Sequence, residues 1–458
     1  MESEPYDVVL AGGRVIDPSV DFDGVADVGI RDGRIAAIGD NLGEARREID
    51  VPGRLVSPGL IDVHAHVFWG ASVYGVHPDR VGIRSGVTHV HDVGSTGWIT
   101  FNAFKELVAK PAKTPTTCYP NVAGLGIPEN YALAAPELLV AAAQVEPLVE
   151  LAKEEPELIR GVKIHFDRGY LSVSPDVFFA MNTALEVVEA TKNGLYAHLG
   201  DLFAIQDGGP TFEPDRLAAS IVEKMRPGDM LGHWMTPHPG GLVDEAGKIS
   251  PAARQAKEMG VLLEVGHGYN ACFRRARILL DAGIQPDVVS SDTHGSPHGG
   301  KPRLGGVPGM GNDGVANQMS WSMIGTMTKL WGLGVELADL VRMASTNPAR
   351  ALRLHEKGTL QVGRRADVTV LRIVEGDFVL TDSIGGEMTT DKALLPEWTL
   401  LEGEVFENRP FELPEFRNEL LHGKAACPPW SRVYRNSGRS NRIFAEDIEI
   451  PDLPPPSA

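Results

Sequence analysis

Two histidines separated by one residue end a short apolar stretch near the start of the chain, within residues 57–66 (SPGLIDVHAH). Residues two apart on a strand share one face, so His64 and His66 are expected to point the same way. Imidazole nitrogens placed in this way can bind one zinc or similar divalent ion. Buried, hydrogen-bonded core histidines produce the same pattern, so a metal site requires further ligands elsewhere in the chain.

Candidate ligands recur at the ends of other apolar segments. They are Lys163 in GVKIH, His198 in YAH, His233 in LGH and Asp292 in VSSD. Such groups at the same relative position in successive segments favour one shared site over separate structural roles. The sequence therefore predicts a metal centre formed by His64, His66, Lys163, His198, His233 and Asp292.

Lys163 is unusual in this set, because a protonated amine has no lone pair to offer a metal. Burial beside cations disfavours the charged amine and makes the free amine accessible. A free amine can add carbon dioxide and become a carbamate, which is an anionic, two-oxygen ligand able to bridge two metals. We therefore interpret Lys163 as a carboxylated lysine, and the alternative is a surface or ion-paired lysine.

The elements that would position these residues alternate short apolar strands with helical patterns between residues 58 and 355, as parallel βα units do. Strands are predicted at 60–64, 88–93, 116–121, 159–164, 195–198, 230–233, 261–265 and 287–291. Helices are predicted at 138–152, 250–260 and 270–281. This α/β pattern predicts a (β/α)8 TIM barrel over residues 58–355, with its site at the C-terminal ends of the strands.

Short strands are also predicted at both ends of the chain. Residues 1–57 include a hairpin turn at Asp32-Gly33, where glycine tolerates a positive φ, and residues 356–410 again contain strand patterns. Because so small a sheet needs a partner, the two ends are predicted to form one small β-sandwich domain. Residues 411–458 are interpreted as a C-terminal extension that wraps the surface, crosses to a partner subunit or ends in disorder.

Composition excludes some classes of function. The 458 residues suit one large and one small domain, and the formal charge of −18 argues against binding to nucleic acid or an anionic membrane. The sequence has no apolar run long enough to span a bilayer. Three widely spaced cysteines and an acidic N-terminus without an apolar core predict a cytoplasmic protein rather than a secreted one.

With these residues in place, the sequence resembles the amidohydrolase superfamily, in its binuclear class with a carboxylated lysine. The likeness extends to about residue 410 and also includes residues 345–350 and 363–367. Further stretches resemble a subgroup of small-molecule deacetylases and esterases related to dihydroorotases; they are residues 86–88, 92–95, 264–268 and 291–295. His89, His91 and a glycine-rich loop at 295–314 depart from the family pattern.

The resemblance implies two divalent metal ions, with zinc as the default for ligands rich in histidine. One ion is expected on His64, His66 and Asp292, and the other on His198 and His233. The carbamate of Lys163 and a hydroxide are expected to bridge the two ions. Metal binding lowers the pKa of water towards about 7, and Asp292 is expected to pass the proton to the leaving group.

Other histidines are candidates for substrate contacts. His267, at the end of the seventh strand, is predicted to contact a substrate carbonyl or carboxylate, with a packed histidine as the alternative. His165 and His294 each lie two residues beyond a predicted ligand and therefore face the same site. The second pair, His89 and His91, has no family counterpart, so we expect it to pack in the core or to support other residues.

The function implied is metal-dependent hydrolysis of an amide or ester bond in a small molecule, as in a deacylase or deacetylase. The alternative is a cyclic-amide hydrolase of the hydantoinase or dihydroorotase type. A deaminase is disfavoured by Lys163, which that class lacks, and a non-catalytic scaffold is disfavoured because all six ligands are present. By family likeness, the chain is expected to form a homo-oligomer.

Overall fold

The computed structural model describes residues 4–72, 75–127, 143–165, 178–200, 214–294 and 322–408. Several predicted features lie outside these residues. They are the C-terminal extension, the glycine-rich loop at 295–314 and the start of the helix predicted from residue 138.

The described residues form two sheets. The strands are β1 Tyr6–Asp17, β2 Phe22–Arg31, β3 Arg34–Gly39, β4 Ala45–Asp50, β5 Arg54–Pro58, β6 Leu60–Ala65, β7 Val87–Gly97, β8 Thr116–Asn121, β9 Gly161–Ile164, β10 Gly194–His198, β11 Met230–Gly232, β12 Leu262–Leu263, β13 Val368–Thr381, β14 Glu387–Leu401 and β15 Glu404–Glu407.

Helices connect the strands or pack beside them. They are α1 Pro78–Val81, α2 Phe101–Phe104, α3 Val145–Glu154, α4 Phe179–Thr191, α5 Pro214–Val222, α6 Ala252–Met259, α7 Phe273–Asp281, α8 Met323–Gly332, α9 Leu337–Val341 and α10 Asn347–Ala351. A 3-10 turn at Ile83–Ser85 and π-helical turns at Lys105–Ala109 and Arg342–Thr346 complete the set. Among the helices described, none combines the length and apolar content needed to cross a bilayer.

The first sheet is parallel and has the strand order β12-β11-β10-β9-β8-β7-β6. Each strand therefore pairs with the strand before it in the chain, as expected for successive βα units. All residues of β7, β8 and β9 are buried, which explains why their sequences do not alternate apolar with polar residues. Because the strands are parallel, their C-terminal ends meet at one edge of the sheet.

The segment predicted as an eighth strand contacts both edges of this curled sheet. Parallel bridges pair Val288 with Glu264 and Thr293 with Ala65. The amide of Val265 donates to the carbonyl of Val288 at 3.0 Å, and the amide of His66 donates to the carbonyl of Thr293 at 2.9 Å. Only isolated bridges form here, whereas the sequence predicts a strand over 287–291.

The second sheet combines the two ends of the chain in the order β15-β14-β13-β5-β1-β2-β3, with β4 beside β1. The antiparallel pair β5–β13 joins the ends, with Val56 opposite Val370. Leu10, Val56 and Val368 belong to an apolar cluster that is buried in this sheet. Burial of each such side chain contributes about 1.5–3 kcal/mol. The prediction that the chain ends pair is therefore confirmed.

Sequence signals for two of the predicted helices hold, whereas the helix predicted over 138–152 begins only at Val145, because Gln144 is extended. Helix α6 buries Ala252, Ala253 and Ala256 on one face. It ends at Gly260, which has a φ of 75°, a left-handed conformation that glycine adopts without steric cost. Both α6 and α7 lie within the predicted ranges, and α6 contacts β12, the strand that precedes Glu264.

Candidate active site

The six predicted metal ligands lie at the edge of the parallel sheet where its strands end, and all six are buried. Each belongs to the last residues of a strand or to the segment after it: His64 in β6, His66 after β6, Lys163 in β9, His198 in β10, His233 after β11 and Asp292 in the segment that contacts β6.

Two histidines and an aspartate form the first group. The Nε2 atoms of His64 and His66 lie 3.3 Å and 3.2 Å from the same oxygen, Oδ1 of Asp292. The other ring nitrogen of His66 lies 2.9 Å from the hydroxyl of Ser95, so Nε2 is the nitrogen that faces the carboxylate. Two imidazoles and a carboxylate in this arrangement can hold one divalent cation.

His198 and His233 form the second group. The Nδ1 atom of His198 lies 2.7 Å from Nε2 of His233. The Nδ1 atom of His233 lies 2.9 Å from the carbonyl of Gly266, which can only accept a hydrogen bond. His233 therefore carries its proton on Nδ1 and directs the lone pair of Nε2 towards His198. A cation beside these two nitrogens would satisfy both.

Lys163 lies close enough to both groups to change the pKa of their histidines. Burial lowers the pKa of His64, His66 and His198, and the positive charge of Lys163 lowers it further. The lysine stem passes Gly94, where an added Cβ would lie 2.7 Å from Lys163 Cγ. Position 94 must therefore be a glycine for the lysine to reach the site.

The backbone adopts left-handed conformations at two of the predicted ligands, with φ of 67° at His233 and 49° at Asp292. Non-glycine residues rarely adopt this conformation, and they concentrate at functional sites. The amide of Asp292 donates to the carbonyl of His64 at 2.7 Å, so this contact joins the ligands of the first group. Burial raises the pKa of Asp292 to about 6, against the opposing effects of His294, Lys163 and a hydrogen bond from Asn270.

Glu264 and Tyr196 contribute to the site although the sequence analysis gave them no role. The hydroxyl of Tyr196 donates to Glu264 Oε2 at 2.7 Å and lies 2.8 Å from Nδ1 of His64. Because the tyrosine hydroxyl donates its proton to the carboxylate, its oxygen can accept a hydrogen bond from Nδ1 of His64. This relay leaves Nε2 of His64 as the nitrogen with the lone pair, facing Asp292.

Glu264 is fully buried and accepts a close hydrogen bond from Ser290. Burial raises its pKa to about 7. Glu264 also forms a group of possible metal donors with His64 and His233. A charged residue at the end of an apolar strand was the available signal for Glu264, and no sequence pattern marks Tyr196.

The predicted substrate contacts have different surroundings. The ring of His165 lies 5.0 Å from that of His198, and the ring of His294 lies 5.9 Å from that of His66. His267 has different neighbours. Its Nε2 atom lies 2.6 Å from the amine of Lys329, and its Nδ1 atom faces the carbonyl of Gly268. His165 and His294 thus adjoin the metal-ligand groups, and the substrate roles of all three stay predictions.

The residues present fit a divalent metal centre. Their donors are imidazole nitrogens and a carboxylate, which suit zinc and similar ions. The Nε2 atom of His198 is buried and has no hydrogen-bond partner among the described residues. The other nitrogen of this ring, Nδ1, is the one that lies with Nε2 of His233 where a cation would be held.

A family model agrees with this geometry. The model named Amidohydrolase family matches residues 55–386, which is most of the chain, and the protein therefore belongs to this family. The chain is 26% identical to a deacetylase of Agrobacterium fabrum over 85% of this chain and 88% of the relative. It is 28% identical to a deacetylase of Enterococcus faecalis over 88% of this chain and the whole relative.

Solved structures are similar over most of the chain. The chain matches the crystal structure of an adenine deaminase with a TM-score of 0.72 and 26% identity, over 88% of this chain and all of that one. A dihydroorotase structure matches with a TM-score of 0.72 and 23% identity, over 88% of this chain and 99% of that one, which supports the fold alone. The protein is therefore a hydrolytic enzyme of the amidohydrolase family, whose members use divalent metals.

Proposed function

We propose that this protein is a metal-dependent deacylase that hydrolyses an amide or ester bond of a small molecule. One observation carries the proposal: the first group, with two imidazoles on Asp292, and the second group, with His198 beside His233, meet at one buried edge of the sheet. Because these two relatives are named deacetylases, we propose acyclic acyl substrates for this chain rather than cyclic amides.

In this proposal the first group holds one metal ion and the second group holds another. The ions would be zinc, and Lys163, as a carbamate formed with carbon dioxide, would serve as an anionic ligand to both. When bound, such metals lower the pKa of water and polarise a carbonyl group, which provides the nucleophile and the electrophile of hydrolysis. The burial of Lys163 and its closeness to both groups support this role.

Asp292 is proposed to move the proton. It accepts a proton from the attacking water and donates it to the nitrogen or oxygen of the leaving group. Its carboxylate faces the Nε2 atoms of His64 and His66 at the buried end of the strands, which places it beside the water that would be activated there. His165, His267 and His294 remain the proposed contacts to substrate.

The finer features of the fold are also proposals. We infer that the parallel sheet and the segment 287–293 form a closed (β/α)8 barrel, supported by the bridges from Val288 and Thr293 to the outer strands. The domain boundaries 1–57 plus 356–410, 58–355 and 411–458 stay predictions. The homo-oligomer, the absence of a nucleic-acid partner and the cytoplasmic location stay predictions as well.

A substrate panel tests the proposed function. The purified protein is depleted of metal with a chelator, reconstituted with zinc, and assayed against N-acyl amino acids, acyl esters and cyclic amides. Zinc-dependent release of a carboxylic acid from acyclic substrates is the expected result. Turnover of cyclic amides alone would establish the hydantoinase or dihydroorotase alternative. Cyclic amides are included because the chain is 24% identical, over 80% of its length, to a dihydroorotase of Syntrophus aciditrophicus.

A further inference from the structure

The sheet formed by the chain ends reaches the active-site edge of the parallel sheet. Strands β13 and β14 form a long antiparallel hairpin, and we call its turn, residues 382–386, the hairpin tip. The turn is closed by the amide of Asp382, which donates to the carbonyl of Gly386 at 2.8 Å. The hairpin tip packs on residues 266–273, which connect β12 to α7 and which we call the β12–α7 loop.

Ser383 forms most of this contact. Its hydroxyl donates to the carbonyl of Gly268 at 2.7 Å and accepts from the amide of Ala271 at 3.0 Å. Its own amide donates to the carbonyl of Ala271 at 3.0 Å. The neighbouring Asp382 accepts from the amide of Phe273 at 3.0 Å, at the start of α7. Four hydrogen bonds thus fix a loop that has no regular secondary structure of its own.

The other side of the same loop touches Asp292. A Cβ added to Gly268 would lie 1.9 Å from Oδ2 of Asp292, so the backbone of the loop lies directly against the carboxylate. The amide of Gly268 donates to the carbonyl of Ser291 at 3.0 Å, and the side chain of Asn270 donates a hydrogen bond to Asp292. A shift of the loop would therefore change the position and the hydrogen bonding of Asp292.

From these contacts we infer that Ser383 is a positioning residue for Asp292, acting through Gly268 and Asn270 of the β12–α7 loop. The small sheet thereby contributes to catalysis without contacting substrate. The inference rests on the proposed role of Asp292 as metal ligand and proton carrier. It goes beyond that role because it assigns a function to a residue that lies 91 positions further along the chain, in the other sheet.

Hydrogen–deuterium exchange tests the contact without any substrate. In Ser383→Ala the hydroxyl is lost, so amide exchange in peptides covering residues 266–273 should rise by at least about ten-fold, because two of the four hydrogen bonds are removed. Ser383→Thr keeps a hydroxyl and should restore slow exchange. The matched control is Ile384→Ala, since Ile384 is exposed at the hairpin tip and its side chain takes no part in these bonds. Unchanged exchange in Ser383→Ala, or a rise spread equally over the whole sheet, overturns the inference.

The visible absorption spectrum of the cobalt-substituted protein tests whether the effect reaches Asp292. Cobalt(II) reports on the geometry of its ligands, so Ser383→Ala should alter the spectrum while Ser383→Thr and Ile384→Ala retain it. A spectrum identical in all four proteins overturns the inference. If the wild-type protein binds no cobalt, the proposed metal centre fails, whereas the exchange data still decide the contact of the hairpin tip.

Kinetics complete the test once a substrate is found. Misplacement of Asp292 should lower kcat of Ser383→Ala by about ten- to a hundred-fold. The metal content should stay within about two-fold of wild type, because the loop carries none of the six proposed ligands, so the loss should appear mainly in kcat; His267, which the loop does carry, can raise KM in addition. A wild-type kcat in Ser383→Ala contradicts the inference even if the loop exchanges faster.

Discussion

Two His-x-His pairs lie on neighbouring parallel strands, His64 and His66 at the end of β6 and His89 and His91 in β7. Both pairs are buried. In the first pair both Nε2 atoms face one carboxylate oxygen, on Asp292, at 3.3 Å and 3.2 Å. In the second pair, His89 Nε2 and His91 Nδ1 both face one neutral hydroxyl, that of Thr117, at 2.9 Å and 2.7 Å.

The residues around the second pair also differ from those of a metal site. The ring of His91 packs edge-on against Tyr119, with 4.4 Å between ring centroids. Burial lowers the pKa of His89, and the cations Lys357 and Arg160 lower it further. Neither histidine belongs to a group of possible metal donors within the described residues. These contacts fit the packing role that we predicted for the second pair.

The comparison shows that spacing alone does not define a metal site. A His-x-His pair on a strand places two imidazoles on one face, whichever strand carries it. An anionic ligand supplied by another segment decides which pair can hold a cation, because the carboxylate offsets the cost of burying positive charge.

Asp292 is the largest difference between the pairs, and its replacement should have the largest effect. Asp292→Asn keeps an oxygen near the first pair but cannot carry a proton between water and leaving group. Turnover should fall by about a thousand-fold, the typical contribution of a general acid–base group, while much of the metal is retained. Steady-state rates and metal analysis of the same sample measure both. Activity near that of wild type would exclude the proposed proton transfer.

Matched substitutions compare the two pairs directly. His66→Phe removes a ligand from the first pair, and metal affinity should fall by more than about a hundred-fold, since even partners outside the ligand set contribute 10–100-fold. His91→Phe makes the same chemical change in the second pair and should leave metal affinity within about two-fold of wild type. Titration with zinc against a competing chelator gives both values. Equal losses in the two variants would show that the second pair also supports the metal centre.

Lys163 acts on the first pair through charge, and its replacement should have a smaller effect. Lys163→Ala removes the proposed carbamate ligand, so metal affinity should fall by about a hundred-fold; added short carboxylic acids should restore part of it and leave the net loss below that of His66→Phe. Mass spectrometry of the gently prepared wild-type protein should detect the added carbon dioxide. Unchanged metal occupancy in Lys163→Ala would remove the bridging role.

Much of the site could be predicted because it follows from local pattern and topology. His198 ends β10 and His233 follows β11, so recognition of two apolar strands was enough to place both residues at one edge of the sheet. The same reasoning brought Asp292 to His64, although the segment before Asp292 forms only isolated bridges. Convergence of parallel strand ends does not depend on the exact bounds of each strand.

The supporting contacts could not be predicted, because they join residues that no local pattern relates. Tyr196 contacts Glu264 across 68 positions, and Ser383 contacts Gly268 across 115 positions. A tyrosine in a strand is typical of packing, and a serine in a turn is typical of turn formation. Only the folded arrangement shows that these hydroxyl groups orient His64 and the β12–α7 loop.

The smallest expected effect concerns pH and the second pair. Burial holds the pKa of His91 well below its usual 6.5, so His91 stays neutral in the folded protein while the unfolded chain gains a proton below that pH. Stability is therefore unaffected by His91 above pH 6.5 and falls as the pH decreases below it, by at most about 1.4 kcal/mol per pH unit.

His91→Phe removes this loss, and Thr117 keeps His89 as a partner. Urea unfolding of metal-free protein at pH 7.5 and 5.5 should show the variant gaining about 1 kcal/mol relative to wild type at the lower pH. A difference that does not change with pH would mean that His91 takes up its proton in the folded state, as a histidine with a nearby anion would, and the contrast between the two pairs would then have to be abandoned.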